Sequence, residues 1–317
     1  MSAILLALTA SLAWGTSDFL GGVTSRDTPL PLVLAGSQLA GLLAFAPILL
    51  LRGTAMPHDA RLLLGLAAGV VAVAELGLIY LALRRGPVVV MAPIAALSAM
   101  LPVVVGIAGG DHVGLLIATG IACALGGSVA ASWIPGEDRP PCREALVGAA
   151  VAGGAALGAG TVLALIDVAS RADAWWAIAT VRAGGALTAA ALLAGALARV
   201  AHGVQRQPSS PASATPRARG RSSHAAPHRP RAAPRRLSRG AALTIAAIGL
   251  SDVAADTAFA NATRAGALSV VSVLASLYPV TTIALGVIAI HERPASVQLA
   301  GAVLACAGVA ILAATTR

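Results

Sequence analysis

Four carboxylates and one guanidinium stand inside runs that are otherwise almost wholly apolar: Asp18, Glu75, Asp252, Asp256 and Arg182. A charged group held in hydrocarbon costs about 3 kcal/mol or more, so such groups usually face a cavity or a partner. Asp252 and Asp256 are four residues apart, which puts them on one face of a helix that Phe259 and Thr263 continue. Two acids this close in low dielectric do not both ionise easily, and that suits them to bind and release a proton. Glu75 sits among Val71, Ala72, Leu78 and Ile79, with no polar neighbour on its own helix face. The bland alternative there is a hydrogen bond between helices. Asp18, within "LAWGTSDFLGG", shares a face with Ser11, Trp14, Gly15 and Gly22. That face is small, aromatic and polar, as a solute-lining face should be; the alternative is an acid near the helix end reaching water. Arg182 reads either as the structural partner of one of these acids or as a receptor for an anionic group. Gln38, Asn261 and Tyr278 are weaker cavity candidates, since polar side chains also bridge membrane helices without touching a solute. Trp175 and Trp176 fit an interfacial aromatic belt. Asp111, His291 and Glu292 fall in loops, where solvation or helix capping is the expected role.

The elements that must position these groups are membrane helices. The chain is 57% hydrophobic and 11% charged, with a mean hydropathy of +0.84; soluble domains carry roughly 25% charged residues. Apolar runs of about 20 residues, each able to cross about 30 Å of hydrocarbon, recur along nearly the whole length. They are expected near 3–22, 31–51, 62–83, 87–108, 113–134, 146–166, 175–198, 241–263, 267–290 and 296–316. "MSAILLALTASLAWG" lacks the basic start of a signal peptide and reads as the first retained helix. The 34 glycines and the many alanines let such helices pack closely.

The formal charge of +9 misleads. The segment 199–239 holds ten of the 22 arginines and no acid. It is low-complexity, rich in Pro, Ser and Arg, and expected to be disordered. It reads as a solvated tether, or more sharply as a contact for anionic lipid headgroups. Without aromatics for stacking it offers no nucleic-acid site. Cys123, Cys142 and Cys306 form no metal motif, so neither metal nor cofactor is expected.

The sequence also repeats itself. Gly15-Thr16 followed by Ser25-Arg26 returns as Gly160-Thr161 followed by Ser170-Arg171. "ALRRG" at 82–86 returns as "ATRAG" at 262–266, and Asp111 precedes Gly120 as Glu292 precedes Gly301. The spacing of these matches makes 199–239 an insertion in the second copy. Five spans per copy is odd, so the copies would lie inverted in the membrane, as in many secondary transporters. The expected fold is therefore an all-α integral membrane protein with ten transmembrane helices in two inverted five-helix repeats. The repeats run over 1–134 and 146–316, with the 199–239 loop inside the second.

The chain resembles the EamA-like branch of the drug/metabolite transporter superfamily. "LAWGTSDF" is similar to that family's Trp-Gly, small polar, Phe signature. Pro279-Val280 followed by "HERPASVQLAGAVLACAGVAIL" is similar to its acid-x8-Gly ending, and "LPVVVGIAGGDHVGLLIATGIACALGG" is the matching end of the first half. The chain departs in having Asp111 where the family usually has Glu, in about four fewer residues after Pro102, and in the Arg-rich loop. The resemblance implies ten helices and movement of small solutes, with both termini in the cytoplasm. The arginine distribution over the loops points the other way: 16 in odd-numbered loops against five elsewhere outside the membrane. Without the insertion that becomes six against five, so one segment holds the whole bias.

The expected function is a secondary transporter of a small organic metabolite or drug, proton-coupled or an exchanger, working by alternating access. No G-x-x-x-x-G-K-[ST] is present for ATP. The other readings are a membrane protein without transport, and an intramembrane enzyme of aspartyl type in which Asp18 and Asp252 face each other. H-E-x-x-H and G-x-S-x-G are both absent, so no enzyme is expected. The partners are a small-molecule solute and the lipid bilayer, with a homodimer left open. Heavy Arg and Ala usage suggests a GC-rich bacterial genome, hence a multi-pass protein of the bacterial cytoplasmic (inner) membrane.

Overall fold

The computed structural model describes residues 2–85, 96–131, 142–205, 237–290 and 295–315. Within them the chain is helical throughout. Helices α1 (Ser2–Asp27), α2 (Leu30–Arg52) and α3 (Arg61–Arg85) come first. A single 3-10 turn (Ala96–Ala99) then leads into α4 (Met100–Ala108), followed by α5 (Leu115–Ala131). The second half has α6 (Cys142–Ser170), α7 (Ala174–Gln205), α8 (Arg239–Ala265), α9 (Leu268–Ala275), α10 (Tyr278–Ile290) and α11 (Ser296–Thr315). Among the described residues, seven helical stretches are long and apolar enough to cross a membrane. Two shorter apolar ones, Leu115–Ala130 and Ser296–Leu312, lie in α5 and α11.

Local chemistry sets the helix ends. Pro at the first turn of α2 fits a position where the missing N–H has no helical partner anyway. Gly53 closes the same helix in the left-handed region (φ 63°), which glycine enters without a Cβ clash. Ser238 caps α8, its Oγ accepting the Ala241 N–H at 3.1 Å.

Two expectations need correction. The run near 267–290 is not one helix: it breaks at Ser276 and Leu277 into α9 and α10. The backbone there changes course beside the cavity described below, where broken membrane helices are tolerated. The Arg-rich segment also begins as helix, since α7 continues through Arg199 to Gln205. Its residues 206–236 lie outside the described residues, so the expectations of disorder and lipid contact fall there. His291 and Glu292 also fall outside them, as do residues 87–95 of the expected fourth span.

The helix pairings come in matched sets. α1 packs along α8 as α3 packs along α6, and α2 meets α8 as α3 meets α7. α5 pairs closely with α11, and α4 with α9. Exchanging α1, α2 and α3 for α6, α7 and α8 returns the same pairings. The glycine contacts repeat this in detail. A Cβ added at Gly127 would strike the backbone of Gly301 and Ala305, and one at Gly308 would strike the backbone of Gly120 and Ala124. Gly69 presses in the same way on the α7 backbone, and Gly249 on the α2 backbone. With lipid tails as apolar as the side chains, close backbone approach of this kind supplies much of the packing.

Candidate functional site

A cavity of about 80 Å³ lies at the junction of these pairings. It is lined by side chains from α1, α2, α3, α6, α7, α8 and α10, with Ser98 in the 3-10 turn before α4 and Ser276 at the break between α9 and α10. That volume holds about six waters and is well below the ~300 Å³ at which drug-sized pockets begin.

Eight of the nine sequence candidates line this one space: Trp14, Asp18, Gln38, Glu75, Arg182, Asp252, Asp256 and Tyr278. They come from six different helices. Asn261 does not line it. Its amide donates to the Thr257 carbonyl one turn back along α8, at 2.7 Å. A lone Asn in an apolar helix is often satisfied this way, by its own backbone.

The charged groups divide into a bonded set and a loose set. Asp256, 3% exposed, accepts from both sides. The Trp14 indole N–H donates to its Oδ1 at 3.1 Å, and Arg182 Nη2 donates to Oδ2 in a buried ion pair. Trp14 is in turn fixed against Phe259, ring centroids 5.6 Å apart. One carboxylate thus ties α1 to α7 and α8. Arg182 is 4% exposed, and its Nε and Nη1, both buried, find no acceptor among the described residues. The structure therefore gives Arg182 an acidic partner, the first of its two sequence readings. It also separates the two acids of α8: Asp256 is engaged, whereas Asp252 forms no ion pair among the described residues.

Asp18 and Glu75 form none either. Asp252 is within electrostatic reach of both, and of Arg182, and Ser17 on α1 offers it a hydroxyl hydrogen bond. Three carboxylates from α1, α3 and α8 thus share the cavity, none of them in an ion pair among the described residues.

Under the correspondence of the two halves, the cavity is uneven in polarity. Trp14, Ser17 and Asp18 of α1 correspond to Ala159, Val162 and Leu163 of α6. Asp252 and Asp256 of α8 correspond to Ala72 and Leu76 of α3. One wall, from α1, α7 and α8, is polar and charged; the other, from α3 and α6, is apolar except for Glu75.

Sequence reasoning missed Ser17, which hydrogen-bonds Asp252, and Ser98 and Ser276, which line the cavity; the Ser276 hydroxyl donates to the Val273 carbonyl at 2.9 Å, as many serines in helices do. It passed over Asp167 as well. That residue is 3% exposed and pairs with Arg171 at 2.7 Å, away from the cavity. The loop acid Asp111 does cap a helix, but one in the other half: its Oδ2 accepts the Ser269 N–H of α9 at 2.9 Å. Trp175 is not simply a lipid-facing belt residue. It stacks on buried Phe45 at 6.0 Å, with Arg52 above it at 5.5 Å. Arg52 also pairs with Asp173 at 3.1 Å, clamping the end of α2 to the start of α7. Burial alone would raise the Asp173 carboxyl. The Arg52 guanidinium and the backbone N–H groups of Trp176 and Trp175 instead hold it below its ordinary value.

No curated protein matches the chain. A solved crystal structure is similar in fold, with a TM-score of 0.71 and 19% identity over 100% of this chain and 98% of that one. The model of the EamA-like transporter family matches residues 1–133 and 225–314. Those stretches include the Trp14 and Asp18 face, Glu75, Asp252, Asp256 and the Tyr278 break. With most of the chain matched, this multi-pass membrane protein belongs to the EamA-like transporter family.

Proposed function

We propose that the chain is a secondary-active transporter of a small organic solute, driven by or exchanging with protons. The observation that supports this best is a cavity that gathers Asp18, Glu75 and Asp252 from three helices, acids that form no ion pair among the described residues. Groups of this kind at the middle of a bundle mark solute or proton pathways. In this reading the two repeats, 1–134 and 146–316, form inverted five-helix halves of a ten-helix protein in a bacterial inner membrane. The matched pairings α1·α8 with α3·α6, and α5·α11 on itself, support that arrangement. The halves rock about the cavity, so that it opens to one side at a time. The small volume then belongs to a state closed around the site, and a solute enters only as the halves part. The Trp14–Asp256–Arg182 linkage holds the polar wall in register across the halves, while the other acids exchange protons.

The test is efflux from proteoliposomes loaded with a mixed extract of small metabolites and followed by mass spectrometry, with and without a pH gradient. At least one solute is expected to leave faster than from protein-free liposomes, at a rate that responds to the gradient. No solute above the protein-free rate would reject transport; a gradient-independent rate would reject coupling.

A further inference from the structure

The cavity's charge and the segregation of its walls narrow the solute class, on the basis of the transporter reading above. Five ionisable groups with full charges line the space, four acids and one base. The base is taken: Arg182 is paired with Asp256, and its two other donor nitrogens are buried in protein rather than presented to the open space. An incoming carboxylate or phosphate would have to break that pair and would meet Asp18, Glu75 and Asp252 besides. Its desolvation would go unrepaid and its neighbours would repel it. A cation meets the opposite situation. The same three acids form no ion pair among the described residues, and Trp14 presents an aromatic ring to the cavity, a surface that attracts organic cations. Tyr278, which also lines the space, brings no full charge. Across from them lie Ala72, Leu76, Ala159, Val162 and Leu163, which have nothing to offer a polar group but suit an apolar body.

We infer that the cavity takes a small organic monocation with an apolar body, and that this cation and protons displace one another on Asp18, Glu75 and Asp252. The exchange balances as one proton released for each cation bound. With the cation absent, protons neutralise the acids; with it present, one of them ionises and pairs with the ammonium. Glu75 is the one acid contributed by the otherwise apolar lining from α3 and α6, within electrostatic reach of Asp18 and Asp252.

Three probes with one phenyl body and different charge test this: benzyltrimethylammonium, phenylalanine and 3-phenylpropionate. The quaternary ammonium cannot titrate, so any pH dependence of its binding belongs to the protein. Binding to the purified full chain is measured by calorimetry at several pH values, in two buffers of different ionisation enthalpy. Benzyltrimethylammonium is expected to bind with an affinity that rises about tenfold per pH unit through the titration of the cluster, releasing one proton. The two other probes are expected to bind at least tenfold more weakly. Asp252→Asn, Asp18→Asn and Glu75→Gln should each flatten the pH dependence. Tighter binding of 3-phenylpropionate or phenylalanine, or ammonium binding that ignores pH, overturns the inference; so does failure of all three to bind. If metabolite efflux still responds to the pH gradient in any of those cases, the transporter reading stands and only the cation class falls.

Discussion

Replacing Asp256 by Asn removes the charge that neutralises Arg182 while keeping an oxygen for the Trp14 indole. Both members of the ion pair are within 4% of complete burial. Stripping one partner from such a pair leaves a buried guanidinium uncompensated, which costs about 3–5 kcal/mol. Asp252, one helical turn earlier and already within electrostatic reach of Arg182, can take up part of the lost role. The expected loss is therefore about 3 kcal/mol, the low end of that range. The double variant Arg182→Met/Asp256→Asn has no orphaned charge and should recover about 2 kcal/mol of it. Stability is read by reversible unfolding in mixed micelles of dodecyl maltoside and SDS, followed by far-UV circular dichroism. A loss under about 1 kcal/mol for Asp256→Asn would refute the reasoning. Additive single and double variants would refute it too, because the energy would then not lie in the pair. The same argument assigns proton coupling to the other acids: Asp252→Asn should impair the response to a pH gradient more than Asp256→Asn does.

Three further outcomes follow from local geometry. Gly127→Ala places a methyl against the α11 backbone, which cannot give way as a side chain can; it should destabilise by about 1–3 kcal/mol. Gly126→Ala, with nothing within 4 Å, should be neutral or stabilising by up to about 1 kcal/mol in the same unfolding assay. The Arg52–Asp173 pair is partly exposed, so a double-mutant cycle should give less than about 1 kcal/mol of coupling. Because the folded state holds the Asp173 carboxyl below its ordinary value of 3.8, that coupling is present above pH 3.8 and lost as pH falls through the lower folded value. Ser238→Ala removes the cap of α8 and should cost about 1 kcal/mol, without changing solute selectivity.

Much of this molecule was legible from residue order. Hydropathy is a local quantity, so the apolar runs located the helices, and the same runs made Asp18, Glu75, Arg182, Asp252 and Asp256 conspicuous. Asn261 was misread because a polar residue in an apolar helix looks the same whether it faces a cavity or bonds its own backbone at Thr257. The break between α9 and α10 was missed although Pro279 marks it: a proline in the first turn of a helix is as consistent with a new start at Tyr278 as with a kink in one continuous span.

What residue order alone determined was a membrane protein whose helices bear costly ionisable groups, for hydrocarbon imposes that reading on each segment independently of the others. What only the tertiary structure decided was which of those groups meet. Asp252 and Asp256 share a face and differ by a single turn. Arg182 pairs with the second, Trp14 reaches the same carboxylate from the other half, and the first is left beside Asp18 and Glu75. That choice depends on the register between helices up to 242 residues apart in the chain. Close glycine contacts across the helix pairs fix that register, and no periodicity within a single helix encodes it.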